Sequence, residues 1–126
     1  MNLLSWNCQR LRNPRVVRNL CQLVKEKNPK VVFIMETKMH HNRLEFLKGK
    51  VGMEHMFVVD SVGWSGGLVL LWKDGLSVTI QNYIRCHINV LMKTADGGEE
   101  WKLTCFYGHP EVAKRKEAWS LLLYLG

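Results

Sequence analysis

Two apolar runs in this sequence end on polar side chains that could share a metal ion. Residues 3–6 are followed directly by Asn7, and residues 31–35 are followed directly by Glu36. If the two runs are neighbouring parallel strands, Asn7 and Glu36 emerge from the same edge of one sheet. An amide oxygen and a carboxylate suit Mg²⁺, which keeps several waters and needs few protein ligands. The alternative is that Glu36 begins an exposed loop and Asn7 caps a turn, and spacing alone favours this alternative.

Basic and aromatic side chains near these strand ends are candidates for phosphate contacts. Arg10 and Arg12 follow Asn7 in the next loop, and Lys38 follows Glu36. Such side chains can form a phosphate-binding rim beside a metal site. Tyr107 closes a later apolar run, so its hydroxyl could reach the same rim. Arg15 and Arg18 could join this rim, or they could be the solvated face of the first helix, which is the commoner meaning of such charges. The alternative for the tyrosine is that it only packs.

The charge and cysteine content narrow the class of protein. A formal charge of +7 and a sequence pI near 9.4 favour a polyanionic partner, with nucleic acid first and an anionic membrane second, although basic balance also serves solubility. Four scattered cysteines lack zinc-site spacing and indicate reduced thiols rather than a disulfide framework. Neither a leader nor a membrane-length apolar run is visible. We therefore expect a nuclear or cytoplasmic protein that is not secreted and has no membrane partner.

The elements that must position these residues begin with a strand, a helix and a second strand. Residues 2–6 indicate a buried strand, and Asn13-Pro14 is a typical helix start. Apolar residues recur at helical spacing to about Lys27, where Asn28-Pro29 ends the helix. The continuous apolar run 31–35 predicts a strand that is buried on both faces. This order favours a crossover connection between neighbouring strands of one sheet.

The remaining sequence predicts mostly strands. A short helix is expected over residues 40–50, and strands are expected over residues 56–60, 68–72, 76–80, 83–93 and 101–107, with a glycine turn at GWSGG and a hairpin at Asp74-Gly75. A final amphipathic helix is expected from about Pro110, with Val112, Trp119, Leu122 and Leu123 facing a core. The predicted class is α/β or α+β, with a substantial mixed or antiparallel sheet.

Taken in order, several segments resemble one known domain. These are MNLLSWNC, NPRVVRNLCQLVKEKNPKVVFIMETK, DSVGWSGGLVLLW, and CFYGHPE with the downstream Arg115 and Trp119. The series resembles the endonuclease domain of plant LINE-type (non-LTR) retrotransposons, in the endonuclease/exonuclease/phosphatase superfamily that includes the apurinic endonucleases. The resemblance covers essentially the whole chain.

The resemblance implies a fold, a chemistry and a set of site residues. The fold is a two-sheet sandwich flanked by helices, and the activity is a DNA-nicking phosphodiesterase that uses Mg²⁺ or Mn²⁺ and no small-molecule cofactor. Asn7 matches the active-site asparagine of the family, Glu36 its metal-binding glutamate, and Tyr107 its active-site tyrosine. From their place beside the strand ends, and not from the resemblance, Arg10, Arg12 and Lys38 are the candidate nucleic-acid contacts. DNA is the expected partner.

Two departures from the family pattern lead to further expectations. Relatives continue with an Asp-x-Asn and a Ser-Asp-His motif, whereas the aspartates here are Asp60, Asp74 and Asp96, and none lies in such a triplet. We therefore expect residues 1–126 to be a single partial domain, truncated before both motifs and catalytically incomplete. Relatives also place glycines where Arg10 and Arg12 stand, so we expect backbone strain or crowding at these arginines. The two arginines would then be damage to the loop rather than a phosphate-binding rim.

Other functions stay open at this point. One is a non-catalytic, basic nucleic-acid-binding module, and another is a remnant without function. A branch of the superfamily that acts on phosphoinositides or phospholipids is less favoured, because the matched motifs are those of the retroelement group. A partial sandwich would also expose apolar sheet surface, so we expect self-association through that surface.

Overall fold

The computed structural model describes residues 2–7, 11–39, 41–61, 66–84, 87–94, 100–106, 110–114 and 120–125. In chain order, the helices and strands are β1 (Asn2–Asn7), α1 (Pro14–Lys27), β2 (Val31–Met35), a 3-10 turn (His41–Arg43), α2 (Glu45–Val51), β3 (His55–Val59), β4 (Leu68–Trp72), β5 (Leu76–Ile84), β6 (His87–Thr94), β7 (Glu100–Phe106), β8 (Pro110–Lys114) and β9 (Ser120–Leu125).

The strands form two sheets that pack face to face. The first sheet has the order β3-β4-β2-β1-β9, and the second has the order β5-β6-β7-β8. Alternate residues of the first sheet face opposite sides: Val32 and Ile34 pack against the helices, whereas Val31 and Phe33 pack against the second sheet. All five residues of β2 are buried for this reason. The expected two-sheet sandwich with flanking helices is confirmed.

The β1-α1-β2 unit forms as the sequence predicts. The Asn13 side chain accepts a hydrogen bond from the Arg15 backbone nitrogen at 2.9 Å, and Pro14 begins α1. The helix ends at Asn28, which adopts a left-handed conformation and donates its backbone N–H to the Val24 carbonyl. The helix connects two strands that pair in parallel, so the predicted crossover is also confirmed.

The predicted C-terminal helix is wrong. Residues from Pro110 instead form β8, which pairs with β7, and β9, which pairs in parallel with β1 along its whole length. A short apolar run does not distinguish a helix from a buried strand by its periodicity. Pairing with β1 decides the conformation, because an unpaired β1 edge would leave backbone groups without hydrogen bonds. The side chains of Val112, Trp119, Leu122 and Leu123 lie outside the described residues.

Two predicted details of the later strands are also wrong. Asp74-Gly75 does not form a hairpin between β4 and β5, because both edges of β4 already pair with β2 and β3. The chain therefore crosses to the second sheet at this turn. The predicted strand 83–93 is divided between β5 and β6, which pair from Ile84↔His87 outwards. No glycine or asparagine in residues 84–87 signals this reversal.

The edge strand β5 exposes apolar side chains. Tyr83 and Ile84 are each 53% exposed, and the Tyr83 ring meets Phe57 edge-on at 5.1 Å between centroids. Exposed apolar groups on an edge strand favour association. Self-association stays a prediction. Within the described ranges, no helix is long and apolar enough to span a membrane.

Candidate functional site

The first part of the candidate site is the edge of the first sheet where β1 and β2 end. The two strands pair in parallel and in register, with Asn7 opposite Met35. Neighbouring strands lie about 4.8 Å apart. The backbones of Asn7 and Glu36, the residue after Met35, are therefore adjacent at one sheet edge. The side chain of Asn7 lies outside what the structure describes.

The backbone that follows β2 has an unusual conformation. Glu36 has a φ of 55° and Lys38 a φ of 56°, and both lie in the left-handed region. Side chains other than glycine rarely adopt this region, which costs of the order of 1 kcal/mol or more for each residue. Thr37, between them, is buried at 1% exposure. Such a conformation persists where neighbouring structure imposes it, and it is often found at functional sites.

The loop before β4 imposes this conformation. The Thr37 backbone nitrogen donates to the Gly67 carbonyl at 3.2 Å, and the Lys38 nitrogen donates to the Gly66 carbonyl at 2.8 Å. A Cβ at Gly67 would collide with the Thr37 hydroxyl and would lie 3.1 Å from the Lys38 backbone nitrogen. Only glycine permits so close an approach. We call residues 36–38 with Gly66 and Gly67 the glycine clamp.

Further hydrogen bonds hold the chain in place directly after the glycine clamp. The Ser61 backbone nitrogen donates to the Met39 carbonyl at 3.3 Å, and the His41 backbone nitrogen donates to Asp60 Oδ1 at 2.8 Å. The His41 ring nitrogen Nδ1 also lies 3.1 Å from both Asp60 oxygens. The loop that carries Glu36 is therefore held at several points by residues 60, 61, 66 and 67. Sequence reasoning treated these glycines only as a turn, and the adjacent pair before a buried strand was the available signal.

The carboxylate of Glu36 is available to a ligand. Its side chain is half-buried, and among the described residues it makes no hydrogen bond or ion pair. The described residues also contain no cluster of three or more histidine, cysteine, aspartate or glutamate side chains. One carboxylate at this edge of the sheet fits Mg²⁺, which takes oxygen ligands and retains most of its water. The donor set does not suit a zinc site.

Of the other predicted site residues, the structure describes Arg12 and Lys38. Arg12 is exposed in the loop between β1 and α1, and Lys38 is half-buried in the glycine clamp. Among the described non-glycine residues, positive φ occurs at Asn28, Glu36 and Lys38, so the strain expected at Arg12 is not found. Arg10 and Tyr107 lie outside the described residues, and their roles stay predictions.

Comparison with models of known protein families shows to which family this sequence belongs. Residues 4–126 match the model of the endonuclease/exonuclease/phosphatase family. The chain belongs to this family. The two-sheet fold is therefore that of a domain whose family name covers both nucleases and phosphatases. None of the curated proteins compared with it is significantly similar in sequence.

One solved structure, with a TM-score above 0.5, supports the fold of this endonuclease/exonuclease/phosphatase domain. The AP endonuclease LMAP from Leishmania major matches with a TM-score of 0.57 and 12% identity over 82% of this chain and 38% of its own. Truncated TDP2 from Caenorhabditis elegans matches with a TM-score of 0.47 and 16% identity over 77% of this chain and 42% of its own. The chain thus spans less than half the length of these structures.

Proposed function

We propose that this chain is the N-terminal part of a DNA-nicking phosphodiesterase domain of the LINE-type retrotransposon kind. In this proposal, Glu36 and Asn7 hold Mg²⁺ or Mn²⁺ at the edge of the first sheet. The observation that carries the proposal is the in-register parallel pairing of β1 and β2, which brings the two residues to one edge. Membership of the endonuclease/exonuclease/phosphatase family supports a phosphate ester as substrate.

Each proposed site residue has a distinct task. The Glu36 carboxylate supplies the negative charge that attracts the ion, and the Asn7 amide supplies a neutral oxygen beside it. The bound ion would polarise a phosphoryl oxygen and stabilise the leaving alkoxide. Tyr107 donates a hydrogen bond at the phosphate. Arg10, Arg12 and Lys38 contact flanking phosphates, which fix the position of a DNA strand without reading its sequence.

We propose that the chain alone is catalytically incomplete. Neither an Asp-x-Asn nor a Ser-Asp-His triplet occurs in its sequence, so the group that would activate the attacking water is not supplied. General-base assistance is typically worth about 10²–10⁴-fold in rate. The chain therefore binds the ion and DNA but turns over at most slowly. Its matched segments favour a retroelement of the plant LINE type, and a DNA substrate agrees with a nuclear or cytoplasmic location.

Metal binding tests the role of Glu36. Glu36→Gln is expected to weaken Mn²⁺ binding by about tenfold or more, because it removes the charged ligand and keeps the shape. Free Mn²⁺ can be measured by electron paramagnetic resonance during titration, with Mg²⁺ as competitor. Glu26→Gln is the matched control, since it removes the same charge from an exposed position on α1. Equal Mn²⁺ affinity of the two variants would contradict the proposed site.

A further inference from the structure

A groove lies between α1 and α2, on the helical face of the first sheet. Its volume is about 770 Å³. Leu11, Val17 and Met39 are buried at its floor, whereas Phe46 is 43% exposed. The remaining lining residues are Arg12, Pro14, Arg18, Cys21, Arg43 and Lys50. An exposed aromatic ring over an apolar floor offers a surface on which a planar group can stack.

The rim of the groove is positively charged. Arg12 and Arg18 lie on the side of α1, and Arg43 and Lys50 lie on the side of α2. Among the described residues that line it, none is acidic. Burial raises the pKa of the Cys21 thiol despite the opposing effect of Lys50, so this side chain adds no negative charge near pH 7. The groove therefore suits a polyanion that also carries planar apolar groups.

One end of the groove begins at the candidate site. Met39 is three residues beyond Glu36, so their Cα atoms lie within about 11 Å of each other. Leu11 belongs to the loop that follows Asn7. From there the groove follows α1 from Pro14 to Cys21, about 10 Å along the helix axis. A strand that passes the sheet edge can therefore enter the groove directly.

We infer that this groove binds a short single-stranded segment of the DNA strand whose phosphodiester lies at the sheet edge. The groove length accommodates about three stacked nucleotides. Arg18 and Arg43 contact the phosphates from opposite walls, and Phe46 stacks on a base. This inference rests on the proposed function and adds a substrate preference to it, for DNA with a single-stranded region beside the nicking site. Continuity with the site favours DNA over an acidic peptide.

Binding of single-stranded DNA to the full chain in EDTA tests the inference. The probes are a fluorescein-labelled oligothymidine of about ten nucleotides and a labelled blunt duplex with as many phosphates. Fluorescence anisotropy measures the affinity for each probe over a range of salt concentrations. Arg18→Glu/Arg43→Glu is expected to weaken oligothymidine binding by about tenfold or more. The slope of log binding constant against log salt concentration is also expected to become shallower by about 1.4, because each lost phosphate contact removes about 0.7 from it. Phe46→Ala is expected to weaken binding by about fivefold or more.

The matched control is Lys25→Glu/Lys30→Glu, which changes the net charge equally at exposed positions outside the groove. The control is expected to retain the wild-type salt slope. The inference would be overturned if both charge variants lost the same oligothymidine affinity. It would also be overturned if Arg18→Glu/Arg43→Glu weakened duplex and oligothymidine binding equally. Binding of a glutamate-rich peptide that is weakened in Arg18→Glu/Arg43→Glu, with oligothymidine binding unchanged, would also overturn the inference in favour of a protein partner. Because oligothymidine binding is measured in EDTA, its outcome is independent of the Mn²⁺ titration that tests Glu36, so failure of one proposal is distinguishable from failure of the other.

Discussion

Gly67→Ala is expected to lower the free energy of unfolding by about 3 kcal/mol, which is a large share of a small domain's stability. Gly67 has a φ of 96°, and an added Cβ would collide with the Thr37 hydroxyl. Thr37 is buried and cannot move aside without disturbing the Lys38 backbone, whose nitrogen lies 3.1 Å from that Cβ. The substitution therefore combines backbone strain with overpacking in the glycine clamp. Guanidinium denaturation measures the change.

Gly66→Ala is the matched control for the glycine clamp. Gly66 has a φ of 77°, but nothing among the described residues lies within 4 Å of an added Cβ. Only the strain of the left-handed conformation remains, so we expect a loss of about 1 kcal/mol. Equal destabilisation by the two substitutions would show that the contact with Thr37 is not needed. The position of Glu36 would then require another explanation.

Phe33→Ala is expected to destabilise the protein by about 3–5 kcal/mol. Phe33 is fully buried at the centre of β2 and packs between the two sheets with residues of the second sheet such as Ile88 and Trp101. Its removal leaves a cavity that two paired sheets cannot close, and the lost contacts add to the lost transfer energy. The midpoint of guanidinium denaturation is expected to fall accordingly.

Phe46→Ala is the matched control for Phe33→Ala. Phe46 is 43% exposed in the groove between the helices, so its truncation leaves no enclosed cavity. We expect it to change the free energy of unfolding by less than about 1 kcal/mol. A similar loss for both phenylalanines would contradict a core that lies between the two sheets.

The β1-α1-β2 unit was predictable because local signals and packing agree there. Asn13 and Pro14 begin the helix, Asn28 ends it, and β2 is apolar throughout because both faces are buried. The C-terminal strands were not predictable from periodicity. β9 is a strand because the edge of β1 is open to it, and that pairing joins residues from opposite ends of the sequence.

The candidate site was predictable only in part, for a similar reason. Asn7 and Glu36 stand out because each ends an apolar run, and strand ends meet at sheet edges. The glycine clamp depends on Thr37 meeting Gly67 across a long stretch of sequence, and neither residue shows this locally. Strain was expected at Arg12, by comparison with glycines in relatives, yet it occurs at Glu36 and Lys38. The strain follows from the hydrogen bonds to Gly66 and Gly67 rather than from residue type.

Nicking of supercoiled plasmid by the folded chain tests the central claim most directly, namely that this chain holds the metal-binding half of a phosphodiesterase site without its base. The assay compares Mg²⁺ with EDTA, and wild type with Glu36→Gln, in a preparation that binds Mn²⁺. We predict that neither wild type nor Glu36→Gln nicks measurably faster in Mg²⁺ than in EDTA, because without the base any metal-assisted turnover is about 10²–10⁴-fold slower than at a complete site. Mg²⁺-dependent nicking by wild type that is lost in Glu36→Gln would contradict the claim and show that the residues present suffice for turnover.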